Sequence, residues 1–223
     1  MFEQEIELEK HQSSVVPLLL IAALIVGIVG IAGYFVHENS KVISMQEATT
    51  LATDLLKQQN APTIRFHIGM FKEGYDETTR DPRYRILEKA GVIKIGKTKG
   101  EVTPVTLTAK GEEMLKQIPG VDKSKGKNDT DAYEVPLAER KLVAVSGISK
   151  IRAGRCLVEY TWQWQPNQLG EFFDVNGATV KSFSTWDRAA LIDKHGANFY
   201  HQDPTKVAIL TMHEDKGWVP AGE

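Results

Sequence analysis

The sequence predicts an α+β protein: a single N-terminal membrane helix, then a small mixed helix-and-strand block, then a β-rich block. Three observations carry that expectation. The run VVPLLLIAALIVGIVGIAGYFV, from Val15 to Val36, contains no charged residue. Between residues 44 and 119 helical and strand periodicities alternate over short distances. From Leu137 onward, apolar residues alternate with polar ones in long runs, the pattern of half-buried antiparallel strands. The 223 residues, with 42% hydrophobic and 25% charged, support folded domains, and a net charge of −2 gives no basic footprint for bulk nucleic-acid binding.

The apolar run makes a helix about 33 Å long, matched to a hydrocarbon core near 30 Å. Fourteen of its residues are Leu, Ile, Val or Phe, and together they favour insertion by roughly 4 to 8 kcal/mol. Pro17 falls in the first turn, where its missing N–H costs nothing, and Tyr34 lies at the far end, where an amphipathic ring suits the interface. A cleaved signal peptide is disfavoured. The tail, residues 1–14, carries four glutamates against one lysine, the wrong sign for a secretory leader, and the apolar run is too long for one. Cys156 is the sole cysteine, which excludes both an intrachain disulfide and a lipid-modified cysteine just after the run. Lys10 on one side and Lys41 and Lys57 on the other are nearly balanced. The expectation for a short tail before one anchor is therefore a body on the extracytoplasmic (periplasmic) side of a bacterial envelope. Ala23, Gly27, Gly30 and Gly33 line one face of the helix and would let a second membrane helix approach closely.

Behind the anchor (15–36), the first block covers 44–119. Ser44 is placed to cap a helix over Met45–Gln59, with Leu51, Leu55 and Leu56 on one face. Ile64, Phe66, Ile68 and Met70 alternate as a strand. Asp81-Pro82 opens a short helix that stops at Gly91, strands over 92–95 and 102–107 flank the turn 96–100, and Thr108 caps a last helix carrying Met114, Leu115 and Ile118. The stretch 120–136 is polar and mixed in charge, and is expected to be a linker or long exposed loop. The second block, 137–223, opens with a strand through Leu142, Val143, Val145 and Ile148. A long strand follows, with Cys156, Val158, Tyr160, Trp162 and Trp164 on one face, ended by Pro166-Asn167. A helix is expected within 185–200, with Trp186, Ala189, Ala190 and Ile192 forming its inner face. A last strand through Val207–Met212 turns at Asp215-Lys216-Gly217 into Trp218-Val219.

Two local patterns have a family likeness. Leu87-Glu88-Lys89-Ala90-Gly91, a strand-turn-strand unit and Leu107-Thr108-Ala109-Lys110-Gly111 occur in that order within Arg83–Leu115, and this resembles the second half of a winged-helix domain. The resemblance implies a small winged-helix-like domain in which Arg83, Arg85, Lys89, Lys94, Lys97 and Lys99 would face nucleic acid. Upstream, where that family has another helix, this chain offers the alternation Ile64–Met70. Residues 137–219, ending in Gly217-Trp218-Val219, resemble the curved-sheet, cone-shaped domains of the nuclear-transport-factor-like group, which implies an antiparallel β-rich domain and no particular binding residue.

No constellation for catalysis, cofactor or metal emerges. Gly91–Thr98 matches a phosphate-binding loop letter for letter, but that loop needs a strand before it and a helix after it. Here a helix precedes and strand-forming residues follow, so the expectation is a β-turn with two lysines. His195, His201 and His213, with Asp193 and Asp203, lack metal-ligand spacing. The stripe Tyr160, Trp162 and Trp164 is either core or a possible apolar ligand pocket, with core favoured. The expected function is thus a non-catalytic accessory or scaffold subunit of a larger membrane complex, whose partners are the membrane and other membrane-protein subunits. The alternatives are a membrane-tethered module for an unidentified small ligand, or a membrane-bound DNA-binding regulator if the body is cytoplasmic.

Overall fold

The computed structural model describes residues 15–72, 79–126 and 130–222. The acidic tail lies outside them, and so do the first two residues of Asn128-Asp129-Thr130, which matches the spelling of a glycosylation acceptor. The described chain is a mixture of helix and antiparallel sheet, preceded by one apolar helix. That helix, α1, runs Val15–Ser40, and its Pro17–Val36 segment is long and apolar enough to cross a membrane, with mean hydropathy 2.7.

Helix α2 (Met45–Gln58) begins at a reciprocal cap. The Glu47 N–H donates to Ser44 Oγ at 3.2 Å, and the Ser44 N–H donates back to Glu47 Oε2 at 2.8 Å. Its buried stripe is Ala48, Ala52 and Leu56, with Leu51 and Leu55 half-buried. Strand β1 is Thr63–Lys72, α3 is Pro82–Lys89, β2 and β3 are Ile93–Ile95 and Val102–Leu107, and α4 is Ala109–Gln117. Asp81 and Thr108 are the N-caps of α3 and α4, as their sequence positions suggested. Strands β4 (Asp122–Lys125) and β5 (Asp131–Pro136) complete a five-stranded sheet in the order β2-β3-β1-β5-β4. They occupy the stretch expected to be a linker. Polar composition was misleading there because β4 is a fully exposed edge strand, while β5 buries only Ala132, Tyr133 and Val135. Lys123 and Lys125 both pair with Asp131, at 3.1 and 2.8 Å, the kind of charged edge that discourages further strand addition.

Strand β1 serves two partners. Thr63–Ile68 pair with β5 and Gly69–Lys72 pair with β3. At the change of partner, Gly69 has φ 128°, a conformation closed to residues with a side chain, and the alternation shifts phase. Phe71 is buried and Met70 exposed, contrary to the unbroken alternation expected through Met70.

The remaining strands β6 (Ala138–Arg152), β7 (Arg155–Pro166), β8 (Thr205–Glu214) and β9 (Gly217–Pro220) form a second sheet in that order. Helices α5 (Gln168–Phe173), α6 (Ala178–Lys181) and α7 (Thr185–His195) lie between β7 and β8 in sequence. The chain divides into two compact units: 1–48, 147–158 and 208–223 form one, and 49–146 with 159–207 form the other. The second holds the main core, built on Ile64, Phe66, Tyr84, Ile86, Leu87, Val92, Val105, Val135, Leu137, Leu169 and Phe173. The first buries Ile43, Ala48, Cys156, Val158 and Thr211, and the Thr211 hydroxyl donates to the Cys156 carbonyl at 2.9 Å. Cys156 is accordingly a small core residue.

In the larger unit the segments Leu87–Gly91 and Leu107–Gly111 lock onto each other. The Thr108 hydroxyl accepts the Gly111 N–H at 2.9 Å and donates to the Gly91 carbonyl at 2.5 Å. Lys110 Nζ donates to the Ala90 carbonyl at 2.8 Å, satisfying a carbonyl at the C-terminus of α3. Gly111 lies so close to Val92 that a Cβ there would overlap the Val92 carbonyl.

Candidate functional site

Every described side chain of α1 from Pro17 to Val36 is exposed, and Cβ positions built on Gly27, Gly30 and Gly33 meet no other atom within 4 Å. The expected groove of small residues, with Ala23, is therefore open among the described residues.

The phosphate-loop lookalike is a hairpin. Its interior is strand β2, the Gly96 N–H donates to the Pro104 carbonyl at 2.8 Å, and Lys99 and Val102 exchange backbone hydrogen bonds at 2.8 and 3.2 Å. Thr98, whose hydroxyl would bind magnesium in a true loop, sits 2.9 Å from the Thr103 hydroxyl across the turn. The Val92, Ile95 and Gly96 N–H groups, which a phosphate-binding loop would turn to its ligand, donate instead to Leu87, Glu88 and Pro104.

The basic residues of the supposed recognition helix are likewise occupied. Five of the eight residues of α3 are buried, including Arg83. Arg83 Nη1 donates to the Arg65 carbonyl at 2.8 Å. Arg85 meets Asp187 at 2.8 Å and lies 4.8 Å from the Phe183 ring centroid. Lys89 donates to Ser182 Oγ at 2.7 Å and lies over the same ring at 4.3 Å. The Arg85 and Lys89 side chains are turned toward α7 and the segment that precedes it. Base contact by Arg83, Arg85 and Lys89 would require breaking these interactions.

Helix α7 packs on α3 through its polar side. Leu191 is its buried apolar residue, flanked by Asp187 and His195, whereas Trp186 is 87% exposed and Ala189 and Ile192 also face outward. The inner face expected from Trp186, Ala189, Ala190 and Ile192 is thus mostly the outer one. Apolar periodicity could not locate a contact made by ion pairs.

At the far end of that contact lies the most perturbed carboxylate. Asp81 Oδ1 accepts the Arg83 N–H at 3.0 Å and lies 3.1 Å from His195 Nε2, while Oδ2 is 3.6 Å from Lys194 Nζ. Burial pushes the Asp81 carboxyl up. The His195 and Arg83 hydrogen bonds and the positive charges around it outweigh that penalty and hold it at about 2. A carboxylate at that value only accepts, so His195 Nε2 carries the proton. The group caps α3 and ties the last turn of α7 to it. In the sequence Asp81 opens a helix and His195 lacks metal-ligand spacing, and with the two 114 positions apart no local signal joins them.

Tyr160, Trp162 and Trp164 do share a face of β7. Tyr160 is buried, while Trp162 and Trp164 are half-buried and meet edge to face at 5.2 Å. Arg140 covers both indoles at 5.1 and 4.5 Å and donates to the Asn60 carbonyl at 3.0 Å. The stripe is a cation–π stack closed by the protein's own arginine. A second polar cluster holds the 174–201 region. The buried Asp174 accepts the N–H groups of Asn176 and Tyr200 at 2.7 and 3.0 Å. His201 meets Glu171 at 2.9 Å, which raises the imidazole pKa. Among the described residues no group of histidines, cysteines and carboxylates has the arrangement of a metal site.

Comparison with protein-family models, with curated proteins and with solved structures finds no match.

Proposed function

We propose that this protein is a non-catalytic single-pass accessory or scaffold subunit of a larger membrane assembly, with α1 as both tether and contact surface. The observation that carries the reading is the open face of Ala23, Gly27, Gly30 and Gly33, which nothing among the described residues covers. Lipid offers no hydrophobic drive for helix association, so such a surface gains by close van der Waals packing against another helix. The polar clusters of the body support the same reading, because each is consumed in holding elements together. On this view the winged-helix-like stretch serves as framework, and the β-rich block as a surface for partners.

The test is assembly. Gly27→Leu and Gly30→Leu should weaken association about tenfold, the scale of 1–2 kcal/mol for contacts between membrane helices. On native gels in mild detergent each variant should leave the complex while remaining membrane-embedded. Co-migration of both variants with the complex would remove the contact role, and a free wild-type monomer would remove the subunit reading itself.

The body belongs, in this reading, on the extracytoplasmic side. Protease added to intact spheroplasts should then degrade residues beyond α1, and protection until lysis would place the body in the cytoplasm.

A further inference from the structure

The unit that contains α1 also contains both turns of the second sheet. The His213 N–H donates to the Gly154 carbonyl at 2.8 Å, so the β6–β7 turn at Ala153-Gly154 and the β8–β9 turn at Asp215-Lys216 lie at one end of that sheet. The Trp218 ring packs edge to face on His213 at 5.3 Å, at the same end. The segment that leaves α1 belongs to the same unit: Ile43 and Ala48 are buried in it, and of the second sheet it takes only 147–158 and 208–223. Ile43 is only three residues past the last residue of α1. The sheet end bearing the two turns is therefore in one compact unit with the segment on which the chain leaves its apolar helix.

The chemistry of that end is specific. Lys150-Ile151-Arg152-Ala153-Gly154-Arg155 holds three basic residues and no acidic one. Ile151, at the tip, is 56% exposed, and Arg152 is exposed beside it. The neighbouring turn adds Lys216 but also Glu214 and Asp215, so the basic character rests on the β6–β7 tip. An exposed aliphatic side chain between a lysine and an arginine, with a tryptophan nearby, suits the boundary between lipid headgroups and acyl chains. The four residues of α1 beyond Val36 rise about 6 Å, close to the depth of a headgroup layer.

We infer that the β6–β7 tip is a lipid-contact surface that rests on anionic headgroups of the bilayer crossed by α1, with Arg152 and Arg155 toward phosphates and Ile151 at the acyl boundary. This rests on α1 being a membrane span. The occupant is lipid rather than protein because charge, apolar tip and continuity with the span coincide in one unit.

Hydrogen exchange on the full chain in nanodiscs tests it. Amides 150–155 should exchange about fivefold more slowly in discs containing phosphatidylglycerol than in pure phosphatidylcholine, the factor one basic side chain contributes near an anionic surface. Arg152→Glu combined with Arg155→Glu should abolish the difference while the β1–β5 amides keep their wild-type protection. Equal exchange in the two lipids overturns the inference and leaves the anchor intact, and so does protection that appears only with a bound protein. A chain released from membranes by alkaline extraction overturns the anchor reading, and this one with it.

Discussion

Asp81→Ala is expected to destabilise the larger unit by about 3 kcal/mol. Loss of a helix cap costs about 1 kcal/mol, and stranding the partners of a buried carboxylate costs more. Asp81 accepts from the Arg83 N–H and from His195 Nε2, with Lys194 close by, and its side chain is only 7% exposed. The midpoint of thermal unfolding, followed on the full chain in detergent, should fall by about 10 °C. Asp81→Asn keeps an oxygen for the cap and should fall less. The pH dependence has a definite sign. A folded value of about 2 against an ordinary 3.8 means that stability is present above the ordinary value and is lost as pH falls through about 2, a contribution on the order of 2 kcal/mol. The gap between wild type and Asp81→Asn should therefore close in that acid range. A gap unchanged from pH 6 to pH 2 would show that the charge of Asp81 does not hold the two helices together.

Gly111→Ala should cost about 3 kcal/mol, the upper range for forcing a methyl group into a filled space. The added carbon would overlap the Val92 carbonyl, and that carbonyl already accepts the Thr108 N–H at 3.0 Å. Neither side is a flexible chain end that can swing away. Gly100→Ala is the matched control. Gly100 has φ 63° but open space around it, so its cost should stay near 1 kcal/mol, the penalty of a left-handed backbone alone. Chemical unfolding of the two variants separates the effects, and equal losses would mean that the α4 contact is not tight.

These two positions also mark where the sequence was and was not legible. Element ends were legible because their signals are local. Ser44 with Glu47, Asp81 with Pro82, Thr108 before Ala109 and Pro166-Asn167 at the end of β7 each act on the backbone within three residues. Faces and partners were less so. The inner face of α7 was misassigned because Asp187 and His195, rather than Trp186, turn toward α3. Strands β4 and β5 were missed because an exposed edge needs no apolar alternation, and the phase shift at Gly69 because a glycine carries no side chain to announce it. Arg140 over Trp162 and Trp164 joins residues over 20 apart, which composition and spacing do not encode.

The double partnership of β1 bears on the order in which the chain can fold. Helix α3, the β2–β3 hairpin and α4 are made of contacts between near neighbours, and such pieces form early. The pairing of Thr63 with Pro136 instead closes a loop of more than seventy residues, an entropic cost of about 4 kcal/mol before any reward. Until β5 arrives, the first half of β1 presents a bare edge bearing Ile64 and Phe66. During synthesis that edge stays open until residues 131–136 have emerged, so this is the interval in which the nascent chain is most exposed to pairing with the wrong strand.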